Sequence, residues 1–143
     1  MRGKLMFFIT GFTLLMFIAG FLILPVSPSP KTYDLKVMKI GNVWKVVDAT
    51  DTNKTQVKVK KKDTIIWTIE GTDAYFQFSN NIFDAVEKSD SLVDGYTKFV
   101  RDGKKLKLKI KDDAPLGVEV YAVFCTSDQV FARGDSPPKI VIE

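Results

Sequence analysis

The chain has 143 residues, of which 45% are hydrophobic and 27% charged, and this length and composition indicate one globular domain. It contains no histidine and a single cysteine, which excludes a Ser-His or Cys-His catalytic pair, a haem attachment motif and an internal disulfide. Its net charge is +4 at pH 7, from 21 basic and 17 acidic residues.

The first predicted element is an uncharged apolar run from Leu5 to Leu24, LMFFITGFTLLMFIAGFLIL. A helix of this length can cross the hydrocarbon core of a bilayer. Arg2 and Lys4 precede the run, so the positive-inside bias predicts a cytoplasmic amino terminus and an exported remainder. We therefore expect residues 1–24 to be a retained, single-pass transmembrane anchor; a cleaved signal peptide is the alternative.

Residues 25–31, PVSPSPK, contain three of the six prolines and are typical of an extended spacer. Because Arg2 and Lys4 lie before the apolar run, residues 25–143 carry 19 basic and 17 acidic residues, a net charge of +2. We expect residues 32–143 to form one domain in the periplasm or outside the cell. Neither that compartment nor this charge balance favours nucleic acid as a partner.

Alternating apolar residues and runs of strand-forming residues predict the β-strands of this domain. The predicted strands are Tyr33–Ile40, Val43–Ala49, two within Gln56–Gly71, one beginning within Ala74–Phe83, Lys104–Lys111, Val118–Cys125 and Ile140–Ile142. Residues 84–95 show no clean period, and no helical period follows the apolar run. About seven or eight short strands at regular spacing predict an all-β fold, a Greek-key β-sandwich.

Side-chain parity predicts which strand residues face the core. Trp67 is expected inside, as are Phe76 and Phe78, whereas Tyr75 is expected on the opposite face of its strand. The lysines that alternate with Leu and Ile in Lys104–Lys111 are expected to form the solvated face of a half-buried strand.

Two stretches carry a family resemblance. Val57–Trp67 reads VKVKKKDTIIW, a strand, a basic turn, Asp-Thr and an apolar strand with Trp. Gly117–Cys125 reads GVEVYAVFC and leads through a polar loop to the closing strand Lys139–Glu143. In this order the two stretches resemble the cupredoxins, the blue-copper proteins and their relatives, with Lys62 where that family often has glycine. The resemblance implies a cupredoxin-like sandwich whose copper would lie beside Cys125.

The copper ligands of the family are missing apart from the cysteine. A blue-copper centre needs two imidazoles and a thiolate, often with a weak axial Met. By the resemblance, the other ligands would fall near Ala74 or Tyr75, within Asp128–Val130, and near Asp135 or Ser136. Because none of these positions is His or Met, we expect no metal site and no cofactor.

The single cysteine has two interpretations. Cys125 is in phase with Tyr121 and Val123, which favours a buried position where the thiol behaves as a small apolar side chain. Alternatively, an exposed thiol could bind Cu(I), form an intermolecular disulfide or carry a covalent adduct. We favour burial, because no second cysteine or histidine is present to activate the thiol.

The loop from Thr126 to Pro138 is expected to cover Cys125 and to present Phe131 and Arg133 to a partner. Tyr75 is a further candidate for that exposed patch. The carboxylates are scattered through loops without the spacing of a calcium site or an acid/base pair. We therefore expect no catalytic residues and no enzyme activity.

These expectations lead to one functional hypothesis and one alternative. The hypothesis is a membrane-anchored, extracytoplasmic binding module of cupredoxin type without a copper centre. It would be an accessory subunit that contacts a protein partner in a larger membrane complex, such as a respiratory or electron-transfer complex. The alternative is a thiol- or Cu(I)-handling protein that uses Cys125.

Overall fold

The computed structural model describes residues 22–134 and 137–143 of the chain. These residues form eleven strands and one 3-10 turn, Lys88–Asp90. In chain order the strands are β1 Thr32–Ile40, β2 Val43–Asp48, β3 Gln56–Val59, β4 Thr64–Ile69, β5 Ala74–Phe78, β6 Phe83–Ala85, β7 Thr97–Val100, β8 Lys105–Ile110, β9 Gly117–Cys125, β10 Val130–Phe131 and β11 Lys139–Ile142. The described part of the chain is therefore all-β.

The strands form two sheets that enclose one hydrophobic core. The first sheet has the order β2-β1-β4-β8-β6 and the second the order β3-β11-β9-β5-β7, with β10 paired to β9. Neighbouring strands are antiparallel, except that β1 is parallel to β4 and β3 to β11. Each strand from β3 to β9 lies in the opposite sheet from the strand before it, so the chain repeatedly links the two layers. The predicted β-sandwich is confirmed.

Trp67, on β4, is fully buried at the centre of the core. Its ring lies 5.7–6.1 Å, between centroids, from the rings of Phe76, Phe78, Phe83 and Tyr121. Its Nε1 donates a hydrogen bond to Oη of Tyr121 at 3.1 Å, which satisfies both polar groups inside the core. The inward positions predicted for Trp67, Phe76 and Phe78 are thus confirmed.

The lysine-rich segment is a half-buried strand, as its alternation predicts. On β8 the side chains of Leu106, Leu108 and Ile110 are completely buried. Lys105 and Lys109 alternate with them on the exposed face. The positive charge of this segment therefore lies along a solvated sheet surface.

Sequence patterns do not predict β6, β7 or β10, and these three strands raise the number to eleven, above the seven or eight expected. They are three, four and two residues long. β6 and β7 each have one buried residue and β10 has none, so no alternation marks them. The pairing of these strands with longer neighbours, rather than their own pattern, makes them strands.

The predicted transmembrane anchor lies outside the described residues, except for Leu22–Leu24 at its end. These three residues are exposed and have no regular secondary structure. Among residues 22–134 and 137–143 there is no helix long and apolar enough to span a bilayer. The anchor therefore stays a prediction.

The strands run between two opposite ends of the sandwich. At the end that we call the cysteine end, Cys125 lies beside Ala74, and the turn 101–104 follows the neighbouring strand β7. At the end that we call the lysine end, Lys31 leads into β1, and the turn Lys60–Asp63 leads into the parallel strand β4. The spacer, which ends at Lys31, thus joins the domain at the end opposite to Cys125.

We predict that Trp67→Ala lowers the free energy of unfolding by about 3–5 kcal/mol, as truncations of large buried aromatic residues do. The substitution removes an indole that contacts both sheets and leaves the hydroxyl of Tyr121 without its donor. Chemical denaturation of residues 30–143 measures the change.

The matched control is Ile66→Ala on the same strand. Ile66 is only partly buried on the outer face, so its truncation should cost clearly less. A loss below about 1 kcal/mol for Trp67→Ala, or an equal loss for both variants, would contradict the central position assigned to Trp67.

Candidate functional site

Cys125 lies at the end of β9 and its side chain is fully buried. Its Cα partner on β5 is Ala74, which is also fully buried. Tyr121 and Val123 share the inward face of β9, as the phase of the strand predicts. The fold therefore brings together positions 74 and 125, two positions at which the family resemblance places copper ligands.

The loop that follows Cys125 is a short hairpin. Because β10 pairs with the end of β9, residues 126–129 connect the two strands. The backbone N of Thr126 donates to the carbonyl O of Asp73 at 3.0 Å. The backbone N of Ser127 donates to Oγ1 of Thr72 at 3.2 Å. These bonds fix the hairpin against the loop between β4 and β5, which lies at the same end of the sandwich.

The segment that follows β10 joins the two sheets. The backbone N of Arg133 donates to the carbonyl O of Trp44 at 2.8 Å. The carbonyl O of Arg133 accepts a hydrogen bond from the backbone N of Val46, also at 2.8 Å. The side chain of Arg133 is exposed, and Phe131 is 63% exposed. Both residues predicted to contact a partner thus lie on the surface, on a backbone that is hydrogen-bonded to both sheets.

Asp128 lies where the resemblance would place the second histidine. Its Oδ2 accepts hydrogen bonds from Nζ of Lys39 at 2.7 Å and from Nε1 of Trp44 at 2.8 Å. These two bonds, that of Lys39 first, hold the pKa of the Asp128 carboxyl below its ordinary value. The ionised carboxylate therefore favours the folded state at neutral pH, and this contribution is lost as the pH falls through the lowered pKa.

The residues at the positions where the resemblance would place copper ligands do not form a blue-copper donor set, which requires two imidazoles and a thiolate. Ala74 has no donor atom in its side chain, Tyr75 points to the outer face, and Asp128 binds Lys39 and Trp44. Residues 135–136 lie outside the described residues. Elsewhere in the described chain, no three metal-binding side chains come together. A single thiol does not fit copper in trigonal geometry.

The Cys125 thiol is held in its protonated form. Burial, and to a smaller extent the negative charge of Asp128, raise its pKa from the ordinary value to about 11. The thiolate, rather than the thiol, is the nucleophile and the metal ligand. Both burial and protonation therefore oppose a reactive or metal-binding role for Cys125.

Four aromatic side chains form a row across the outer face of the second sheet at the cysteine end. They are successive Cα partners on β7, β5, β9 and β10, namely Phe99, Tyr75, Phe124 and Phe131. The ring centroids of Tyr75 and Phe99 are 4.7 Å apart, and those of Phe124 and Phe131 are 5.3 Å apart. Phe99 is 40% exposed and Tyr75 is 52% exposed. We call these four residues the aromatic ladder.

The surroundings of the aromatic ladder are apolar on one side and basic at its ends. Ala122, Val120 and Val118 continue the same outer face of β9 towards the lysine end, and the two valines are exposed.

Two exposed arginines lie near the ends of the aromatic ladder. Arg101 comes two residues after Phe99, and Arg133 comes two residues after Phe131. Neither arginine has a carboxylate within ion-pair distance among the described residues.

Sequence reasoning identifies half of the aromatic ladder. Tyr75 and Phe131 are candidates from parity and position. Phe124 alternates with the buried Val123 and Cys125, so the same parity argument predicts that its side chain points outward. Phe99 was not predictable, because its place depends on the pairing of β7 with β5.

Solved structures that are similar to this chain include a Cu(I) form of an amicyanin variant, with a TM-score of 0.43 and 13% identity over 81% of this chain and 95% of that chain. A variant of the McoA multicopper oxidase from the hyperthermophile Aquifex aeolicus has a TM-score of 0.47 and 9% identity, over 80% of this chain and 29% of that chain. No family model and no curated protein matches the sequence. Since both TM-scores lie below 0.5, the fold assignment rests on the strand pairing.

We predict that Cys125 of the native protein does not react with a maleimide and that the protein stays colourless when titrated with Cu(II). Burial and the raised pKa suppress the thiolate. The two further strong ligands that a blue-copper site needs beside the cysteine are missing among the described residues. Mass spectrometry measures the labelling, and visible absorption measures copper binding.

Denaturant supplies the control, since the unfolded chain should be labelled completely. Rapid labelling of the native protein would contradict the buried position of Cys125. An intense thiolate-to-copper band would contradict the metal-free interpretation.

Proposed function

We propose that this chain is a membrane-anchored, extracytoplasmic binding module without a copper centre, and not an enzyme. It docks as an accessory subunit on a larger membrane complex, such as a respiratory or electron-transfer complex. The observation that carries the proposal is the aromatic ladder, in which Phe99, Tyr75 and Phe131 are 40%, 52% and 63% exposed on one sheet face. Exposed aromatic side chains on adjacent strands of one sheet face are typical of an interaction surface.

The aromatic ladder is suited to binding because it is rigid. Its rings alternate along β5 and β9 with core residues such as Phe76 and Val123, which are almost completely buried. The core thus fixes the backbone from which the rings project. Rigid aromatic side chains provide a large contact area and lose little conformational entropy when a partner binds.

The charges beside the aromatic ladder indicate the chemistry of the partner. Arg101 and Arg133 stand near its opposite ends, and a guanidinium binds a carboxylate through two parallel hydrogen bonds. The complementary surface is therefore an apolar centre with carboxylates at its rim. Such a pattern orients the partner and suppresses binding to other apolar surfaces.

The position of the aromatic ladder adds a condition on the partner. The ladder lies at the cysteine end, and the spacer enters at the lysine end. The nine residues of β9 between these ends span about 30 Å. With the lysine end towards the membrane, the partner would need an extracytoplasmic part that reaches about this height. The anchor would hold the module near such a partner and raise its effective concentration.

The alternative function, a thiol- or Cu(I)-handling protein, has less support. Cys125 is buried, its pKa is raised to about 11, and the hairpin that follows it is hydrogen-bonded to the loop at Thr72. Thiol chemistry would require the buried thiol to become exposed.

Photo-crosslinking in native membranes tests the proposed function. We expect a benzoylphenylalanine placed at position 131 of the full-length chain to crosslink one membrane protein that has an extracytoplasmic domain. Arg133→Glu in the same chain should lower the yield by about tenfold, because it places like charges across the interface. Mass spectrometry identifies the crosslinked protein.

The matched control carries the same probe at Lys109, an exposed position on the outer face of the first sheet. Crosslinking there should stay at background. Equal yields from positions 109 and 131, or an unchanged yield in the Arg133→Glu variant, would contradict docking through the aromatic ladder.

A further inference from the structure

We propose that the lysine turn, Lys60–Lys62, binds the phosphate groups of anionic lipids in the bilayer that anchors the chain. This inference rests on the membrane anchor of the proposed function. It concerns the lysine end of the sandwich and is independent of the aromatic ladder at the opposite end. Its role would be to orient the domain on the membrane.

The lysine turn is fixed to the point where the chain enters the domain. Oδ2 of Asp63 accepts a hydrogen bond from the backbone N of Lys60 at 2.7 Å, and Oδ1 accepts one from the backbone N of Lys31 at 2.8 Å. The carbonyl O of Lys31 in turn accepts from the N of Thr64 at 2.8 Å. Asp63 is only 3% exposed. The lysine turn and Lys31 therefore form one rigid unit.

The spacer keeps this unit close to the predicted membrane surface. Residues 25–30 separate the predicted helix from Lys31, and six residues span at most about 20 Å. The headgroup layer itself extends about 5–8 Å beyond the hydrocarbon core. A domain on such a short tether samples orientations in which the lysine turn reaches the headgroups at high effective concentration.

The ammonium groups of the lysine turn are available to a ligand. Lys60 and Lys61 are exposed, and neither has a carboxylate within ion-pair distance among the described residues. Lys62 pairs with Asp112 at 3.5 Å, but both side chains are more than half exposed. The carboxylate of Asp63 is buried and bound to backbone N–H groups, so it does not compete for phosphate.

The shape and backbone of the turn support the same assignment. A groove of about 340 Å³ lies between the spacer and the turn, lined in part by Lys31, Tyr33 and Lys60–Lys62. Lys62 has a φ of 71°, in the left-handed region that favours glycine. Lys62 therefore carries a positive charge at a backbone position that glycine would adopt more easily.

Lysine acetylation of the full-length chain in lipid nanodiscs tests the inference. The nanodiscs contain either phosphatidylcholine alone or phosphatidylcholine mixed with phosphatidylglycerol, and mass spectrometry measures the acetylation of Lys60 and Lys61. We expect anionic lipid to slow their acetylation on the order of threefold. The protection should disappear at about 1 M salt, where the Debye length is about 3 Å.

Lys104 and Lys105 are the matched control, because they are also adjacent and exposed but lie at the cysteine end. Their acetylation should be the same in both lipid mixtures. Equal reactivity of Lys60 and Lys61 in both mixtures would overturn the inference and leave the anchor intact. A chain that does not remain in the nanodiscs would overturn both the inference and the anchor.

Discussion

The sandwich depends on the packing of Trp67 between its two sheets. The indole projects from β4 of the first sheet and contacts Phe76, Phe78 and Tyr121 of the second, with a single buried hydrogen bond to Tyr121. The chain has no disulfide to hold the layers together, so this contact and the surrounding aliphatic core must do so. Because Tyr121 lies on β9, the same contact fixes the strand that ends at Cys125.

Two strands, β5 and β9, connect the core to the proposed binding surface. Their inward residues contact Trp67 or surround it, and their outward residues form half of the aromatic ladder. At their shared end, Ala74 and Cys125 are buried neighbours, and the hairpin above them is hydrogen-bonded to the adjacent loop. The end at which the resemblance would place copper is thus closed by apolar packing and backbone hydrogen bonds. The exposed aromatic side chains lie on the adjacent sheet face.

Local patterns predicted the parts of this arrangement that depend on alternation. The inward positions of Phe76 and Phe78 and the solvated lysines of β8 follow from parity along one strand. Features that depend on pairing between distant segments were not predictable from one sequence. Phe99 joins the aromatic ladder through the register of β7 with β5, and Asp128 binds Trp44, which is 84 residues away in the chain. No local pattern encodes either contact.

Hydroxyl-radical footprinting tests the central claim, docking through the aromatic ladder, most directly. The oxidation of Phe99, Tyr75 and Phe131 is compared between the full-length chain in native membranes and the purified chain in detergent. Tyr96, which is 42% exposed and lies outside the aromatic ladder, is the internal reference. Our account predicts that oxidation of the three ladder residues falls severalfold in native membranes while that of Tyr96 is unchanged. Unchanged oxidation of the three ladder residues would contradict it.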